Sequence, residues 1–290
     1  MRIAAITISV LAGAASYMTF AQQRGSESII GNWAVHLSDN AGKFQLMLER
    51  SSGKHHMSHS NDDVPTNQFV GLSMDQLNSA QGSVARFQIS REAGVLECEG
   101  YVKAGGGGGV FHFMANINYL AAMQSLGYRD LDNEKAFVLS LHDVTTTFVR
   151  DMKALGYADI SFDKLVAMRI HGVSTDFVKD IRALGLSTSS IDQLIAMRIH
   201  GVTPAYIREM RAVGLGTNSN EKLIAFRIHG VSPDYVHQVR STFPNVTPDQ
   251  LVAMRIHGVT PDFITRMSSR GMKDLSIDQL VSLKIHGLAN

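Results

Sequence analysis

The chain has 290 residues, 44% of them hydrophobic and 18% charged, an ordinary globular composition that excludes a wholly disordered protein. Its 27 basic and 26 acidic residues are interleaved along the chain and leave a formal charge of +1, so no electrostatic footprint for nucleic acid or an anionic membrane follows. The single cysteine, Cys98, excludes an intrachain disulfide.

At the N-terminus, Met1 and Arg2 precede an apolar run from Ile3 to Ala15, and Thr19-Phe20-Ala21 places small residues at the two positions a signal peptidase reads. This pattern predicts a signal peptide over 1–21 and a periplasmic or secreted mature protein, a retained anchor being the alternative. No later stretch approaches the roughly 20 apolar residues a membrane span needs, so no span is expected after cleavage.

From Trp33 to Met114 the apolar residues alternate, as they do in strands with one buried face. Trp33, Val35 and Leu37 face Phe44, Leu46 and Leu48 across the turn Asp39-Asn40-Ala41-Gly42; Phe87 and Ile89, Leu96 and Cys98, and Phe111 and Phe113 continue the pattern. Glu92-Ala93-Gly94 and the run Gly105 to Gly109 are expected to be turns, the latter a flexible hairpin tip. Five or six strands are expected over 29–114, packed against a short helix at Ser73 to Leu77 or against the following helices. Cys98 is expected to be a half-buried strand residue. His55, His56 and His59 invite a zinc reading, but no carboxylate or cysteine pattern surrounds them, and a polar loop or edge strand is the favoured reading.

Beyond the strands the sequence repeats. His142-Asp143, His171-Gly172, His200-Gly201, His229-Gly230, His257-Gly258 and His286-Gly287 are separated by 29, 29, 29, 28 and 29 residues. Gly127, Gly156, Gly185, Gly214, Phe243 and Gly271 keep step with them. Each period carries two helix signatures. One starts at Ser or Thr, often followed by Pro as in Thr203-Pro204, and shows an amphipathic stripe such as Phe177, Val178, Ile181 and Leu184. The other starts as Ser190-Ile191-Asp192, is apolar nearly all round, and stops at His200-Gly201. The predicted fold is therefore α+β: a small antiparallel β domain over 29–114, then an α-solenoid of six 29-residue two-helix repeats over 115–290.

Two ladders of polar residues follow from the repeat. His171, His200, His229, His257 and His286 cannot share a metal, because stacked helices lie about 8–10 Å apart and zinc ligands about 2.1 Å from the ion. Capping of the helix end by the His-Gly pair is the preferred reading. Arg169, Arg198, Arg227, Arg255 and Lys284 place one cation per repeat at the same point of the second helix. They are candidates for gripping carboxylates, phosphates or acidic segments of a partner. The competing reading pairs each with an acid at a neighbouring helix start (Asp163, Asp192, Glu221, Asp249, Asp278), and the recurrence of that acid favours it.

The segment Ile256 to Pro261 resembles a DNA-binding helix-hairpin-helix turn, but its second glycine is Ser or Thr in every copy, and Asp176, Asp234 and Asp262 stand where a phosphate would approach; no nucleic-acid partner is expected. No recognisable catalytic constellation, cofactor motif or metal motif is found, so the chain is read as no enzyme.

The phrases Val84-Ala85-Arg86-Phe87-Gln88-Ile89, Ala93-Gly94-Val95-Leu96-Glu97-Cys98-Glu99-Gly100, Leu126-Gly127-Tyr128, Leu141-His142-Asp143-Val144 and the recurring Leu165-Val166-Ala167-Met168-Arg169-Ile170-His171-Gly172-Val173 are similar to an uncharacterised bacterial envelope module. In some relatives that module follows the zinc metallopeptidase domain of BlaR/MecR-type sensors, a domain and motif this sequence lacks. The resemblance implies a sensory or regulatory role in the envelope. The expected function is an exported, non-catalytic protein- or peptide-binding scaffold. The alternatives are an enzyme or metal site between the β domain and the first repeats, using His112 or the His55–His59 segment, and a purely structural envelope component.

Overall fold

The computed structural model describes residues 28–52, 55–216 and 218–287. The segment 1–21, where a signal peptide is expected, and the side chains of His55 and His56 lie outside the described residues. The chain divides into two compact units, with the boundary between Ala154 and Leu155.

The first unit is built on one antiparallel sheet of seven strands in the order β3-β2-β1-β7-β6-β5-β4. The strands are β1 Ile29–Leu37, β2 Lys43–Ser52, β3 His55–Pro65, β4 Phe69–Val70, β5 Ser83–Arg91, β6 Gly94–Lys103 and β7 Gly106–Ala115. A three-strand meander (β1 to β3) and a four-strand meander (β4 to β7) join where β7 pairs with β1, in register Trp33 to Gly109 and Phe111 to Gly31. The alternating residues of the sequence point to one face: Trp33, Val35, Phe44, Leu46, Leu48, Phe87, Ile89, Leu96, Phe111 and Phe113 are all buried. Seven strands exceed the expected five or six because β3 is polar and β4 has two residues, so neither carries the alternation that marks a half-buried strand.

The glycine run is corrected. Only Ala104 and Gly105 turn the chain, both at positive φ; Gly106 to Gly109 lie inside β7, paired with β1 on one side and β6 on the other. The reason is close approach of backbone. A Cβ on Gly109 would stand 2.0 Å from the Glu99 carbonyl oxygen, and one on Gly100 would stand 2.2 Å from that of Gly108 and 2.7 Å from the Trp33 ring. The curl of the sheet needs bare backbone at this crossing. Trp33 fills it, its ring edge-on to Phe87 with centroids 4.9 Å apart and its Nε1–H donating to the Glu99 carbonyl at 3.2 Å.

Helices close the buried face. Ser73 caps the short α1 (Met74–Asn78), whose Leu77 is fully buried against the sheet. After α2 (Ile117–Ser125), the next helix α3 (Asn133–Leu141) sets Phe137 on the rings of Phe111 and Phe113, 5.6 and 5.1 Å away. Burying one such ring contributes about 1.5–3 kcal/mol. Arg50 of β2 forks onto the Glu134 carboxylate, and Glu92 in the β5–β6 turn accepts from the backbone N–H of Thr146 at 2.9 Å, at the start of α4 (Thr146–Ala154). Cys98, expected to be half-buried, is only 2% exposed, and burial pushes its thiol pKa far up, so it is inert.

The second unit contains nine helices among the described residues: α5 Phe162–Ile170, α6 Thr175–Ala183, α7 Ile191–Ile199, α8 Pro204–Ala212, α9 Asn220–Ile228, α10 Pro233–Thr242, α11 Pro248–Ile256, α12 Pro261–Ser269 and α13 Ile277–Ile285. With α2 to α4 they alternate as first (A, even-numbered) and second (B, odd-numbered) members of the predicted repeat. Within the second unit A helices pack on successive A helices and B on B. That arrangement explains why the B helices are apolar on several sides. Among the described residues no helix is long and apolar enough to cross a membrane.

The glycine crossing generates a test. Gly109→Ala should destabilise the first unit by about 3 kcal/mol or more, because backbone must move. Gly108→Ala, whose methyl would meet only the Trp33 carbonyl at 3.1 Å, should change stability by less than about 1 kcal/mol. Denaturant unfolding followed by fluorescence of Trp33, the sole tryptophan, reads both; equal effects would refute the close-approach account.

Candidate interaction surface

Four B helices of the second unit, α5, α7, α9 and α11, end in the same way. In α5 the C-cap is His171, and Gly172 follows at φ +69. The Gly172 N–H donates to the Arg169 carbonyl at 3.2 Å and the Val173 N–H to the Met168 carbonyl at 2.7 Å, a complete Schellman motif with Val173 buried. His200-Gly201-Val202, His229-Gly230-Val231 and His257-Gly258-Val259 repeat both bonds. In the first unit Asp143 takes the left-handed place of glycine, at φ 50. The next residue, Ser174, Thr203, Ser232 or Thr260, already caps the following A helix. The histidines thus stand at helix ends through their backbone, with half-buried or exposed side chains.

The cation row is built on these ends. Arg198 Nε donates to the carbonyl of His171 at 3.3 Å, Arg227 to that of His200 at 3.1 Å, and Arg255 to that of His229 at 3.2 Å. The guanidinium carbons lie 5.2, 4.8 and 4.9 Å from the ring centres of Phe177, Tyr206 and Tyr235, and Lys284 Nζ lies 4.3 Å from that of Phe263. Arg169 holds the corresponding place in α5. The tyrosines are fixed in turn: Tyr206 and Tyr235 donate to the carbonyls of Val231 and Val259 at 2.9 and 2.8 Å. Burial pushes both phenols up to about 12, so they remain donors at any physiological pH.

Arg198, Arg227 and Arg255 are therefore tied to a carbonyl and a ring, and three of the five carboxylates named in the sequence reading have other partners. Asp192 pairs with Lys164, Asp249 with Lys222 at 3.2 Å, and Glu221 accepts from Gln193. The backbone N–H at its own helix start and the Ser219 hydroxyl hold the Glu221 carboxyl below its usual range. A guanidinium at a helix C-terminus meets the negative end of the backbone dipole, worth about 0.3–1 kcal/mol at an exposed site, and this competes well with a solvated acid.

Two further ladders escaped the sequence reading. Arg182 and Arg211, in the last turns of A helices, donate to the Leu155 and Leu184 carbonyls at 3.1 and 2.6 Å, and Arg240 donates to the Gly214 carbonyl at 3.2 Å. Ile170, Ile199, Ile228, Ile256 and Ile285, between the cation and the histidine of each B helix, are 53, 52, 52, 53 and 56% exposed. Met272 is the other exposed large apolar residue among the described residues of this unit. The signal for both ladders was present in the 29-residue step; the isoleucines were absorbed into the apolar B helix.

In the first unit, His59 of β3 stands opposite Leu48, on the buried face, with its ring 5.1 Å from that of His142. His112 alternates with buried Phe111 and Phe113 and so points to the opposite face. The two cannot share one site. Among the described residues no group of three His, Cys, Asp or Glu side chains is placed to hold a metal ion. No model of a known protein family matches the chain, and no curated protein matches it.

Two outcomes follow. A Cβ on Gly201 would stand 2.8 Å from Arg227 Nη2, whereas one on Gly258 meets nothing within 4 Å, Lys284 replacing the arginine; both glycines have positive φ, +67 and +70. Gly258→Ala should cost about 1–2 kcal/mol in backbone strain, and Gly201→Ala about 1 kcal/mol more for the displaced guanidinium; equal losses in chemical denaturation would contradict the arrangement. Burial also lowers the His59 pKa from its usual 6.5. The unfolded chain then takes up that proton first, so stability declines as pH falls through about 6.5. Melting at pH 5.5 and 7.5 should show a drop that His59→Gln reduces, and an unchanged drop would exclude His59 as a source.

Proposed function

We propose that the chain is an exported, non-catalytic interaction or sensory protein of the bacterial envelope, in which the repeats of the second unit form the scaffold that binds a protein or peptide partner. The observation carrying this reading is the row of five exposed isoleucines in the second unit, three of them beside an arginine anchored on a neighbouring helix end. Exposed apolar side chains scattered singly need no explanation, but five at one structural position form a continuous feature. Isoleucine is not favoured there by helix propensity, since Lys, Gln or Glu would suit an exposed last turn better by a few tenths of a kcal/mol. Cationic anchors with an apolar ridge are the elements from which interface centres are made. The N-terminal signal pattern and the likeness to an envelope module support the location and the sensory role.

Pull-down from envelope extract tests the reading. The wild-type chain should capture a partner that Ile199→Ser/Ile228→Ser/Ile256→Ser and Arg198→Glu/Arg227→Glu variants lose at least tenfold. Capture that is indifferent to both sets, or no specific capture at all, would move the protein to the purely structural class.

A further inference from the structure

Resting on the reading just given, the geometry of the cation and isoleucine ladders defines the chemistry of the occupant. We infer that it is an extended polypeptide segment in the polyproline II conformation, presenting an acidic and an apolar side chain in every third residue.

The first part of the argument is the free hydrogen-bonding capacity of the arginines. In Arg198, Arg227 and Arg255 only Nε is used, on the His171, His200 and His229 carbonyls. The guanidinium planes are held against Phe177, Tyr206 and Tyr235. Nη1 and Nη2 of the three have no acceptor among the described residues. A guanidinium fixed by its Nε and by a ring has already lost most of its rotamer freedom, so a carboxylate can accept from the open end of the fork at little further entropic cost.

The second part is spacing. Three rungs offer one fork and, at the next residue, one half-exposed isoleucine: Arg198 and Ile199, Arg227 and Ile228, Arg255 and Ile256, with Lys284 and Ile285 at the end. Successive B helices are in direct contact, so rungs recur at the interaxial distance of packed helices, about 8–10 Å. A polyproline II helix has three residues per turn and rises about 3.1 Å per residue, so one turn spans about 9.3 Å. Its residues i, i+3 and i+6 line one face, and i+1, i+4 and i+7 line another. A β-strand would present alternate faces to successive rungs, because its side chains repeat every second residue. Two columns, acid and apolar, on a three-residue period fit the ladder.

The third part is what surrounds the ladder. Each B helix carries a carboxylate near its start (Asp163, Asp192, Glu221, Asp249, Asp278), six residues before the cation, which is about 9 Å along the axis at 1.5 Å per residue. Asp176, Asp234 and Asp262 adjoin the ring-bearing residues of the A helices. An anionic bilayer, being a plane, would be pressed against these carboxylates, whereas a narrow chain laid along the cations of the B helices stays about 9 Å from the carboxylates at the helix starts. The surface is therefore one-dimensional in charge and favours a linear ligand.

The experiment uses the chain without its first 21 residues and fluorescein-labelled synthetic peptides read by anisotropy. A peptide of four Glu-Val-Pro triplets should bind, at least tenfold more tightly than four Lys-Val-Pro triplets and than a Glu-Val alternation of equal length. Arg198→Gln/Arg227→Gln should weaken it at least tenfold. Ile199→Ser/Ile228→Ser, at exposed positions where folding is undisturbed, should do the same. No peptide binding, with capture from envelope extract still dependent on the isoleucines, overturns this inference and leaves the proposed function standing. Capture that is also indifferent to them removes both. Equal binding of the alternating peptide excludes the three-residue register. Isoleucine-dependent binding to phosphatidylglycerol vesicles, or isoleucine-dependent dimerisation in sedimentation, would replace the segment with a bilayer or with a second copy of the chain.

Discussion

The carbonyl groups left over at the end of a short helix are the constraint on which the repeat region depends. Most of its helices have nine residues, too few to be stable alone, and each leaves its last carbonyls without intrahelical partners. The chain satisfies some of them locally, with a left-handed glycine and a buried valine or leucine. It satisfies the carbonyl of the capping residue from elsewhere, with an arginine about 27 residues further on. Because the donor belongs to the next helix of the same row, forming one helix completes the end of its predecessor. Each such contact is worth about 1 kcal/mol or less, so only their regular recurrence makes the array hold.

The same constraint prepares a surface. An arginine that reaches a helix end with Nε, over an aromatic ring, leaves its other two nitrogens without an acceptor among the described residues. The last turn that brings it there also brings the neighbouring isoleucine outward. Stability and the proposed recognition surface thus share residues: the ring of Tyr206 supports Arg227 while its hydroxyl donates to the Val231 carbonyl. The first unit solves its problem differently. There the sheet supplies the core, and one B helix, α3, closes it with Phe137.

Much of this was legible in the residues. Alternation located β1, β2, β5, β6 and β7, and two landmarks in phase located all six helix pairs, because in each case a buried face imposes a period that composition must obey. The polar strand β3 was legible only as a polar loop or edge strand at His55 to His59, since an edge strand need not bury side chains and so carries no alternation. The glycine run was misread because close packing of backbone in a curled sheet and flexibility in a turn select the same residue. The cation row was visible from spacing alone, but its partners were not. A backbone carbonyl has no sequence signature, and a recurring Asp looked like the obvious counter-ion until Lys164 and Lys222 were found holding two of them. The isoleucine ladder was hidden for a similar reason: exposure is a property of the stacked helices, and a single helix pattern does not reveal which apolar residue its neighbours leave uncovered.

The central claim, that arginines of one repeat hold the helix ends of the previous one, is most directly tested by hydrogen exchange at the side-chain Nε–H groups of Arg198, Arg227 and Arg255, resolved by NMR. Hydrogen bonds to the His171, His200 and His229 carbonyls should slow these three protons well below the rate of free arginine, while the Nε–H groups of arginines in contact only with water exchange freely. Exchange of all three at the free rate would contradict the account.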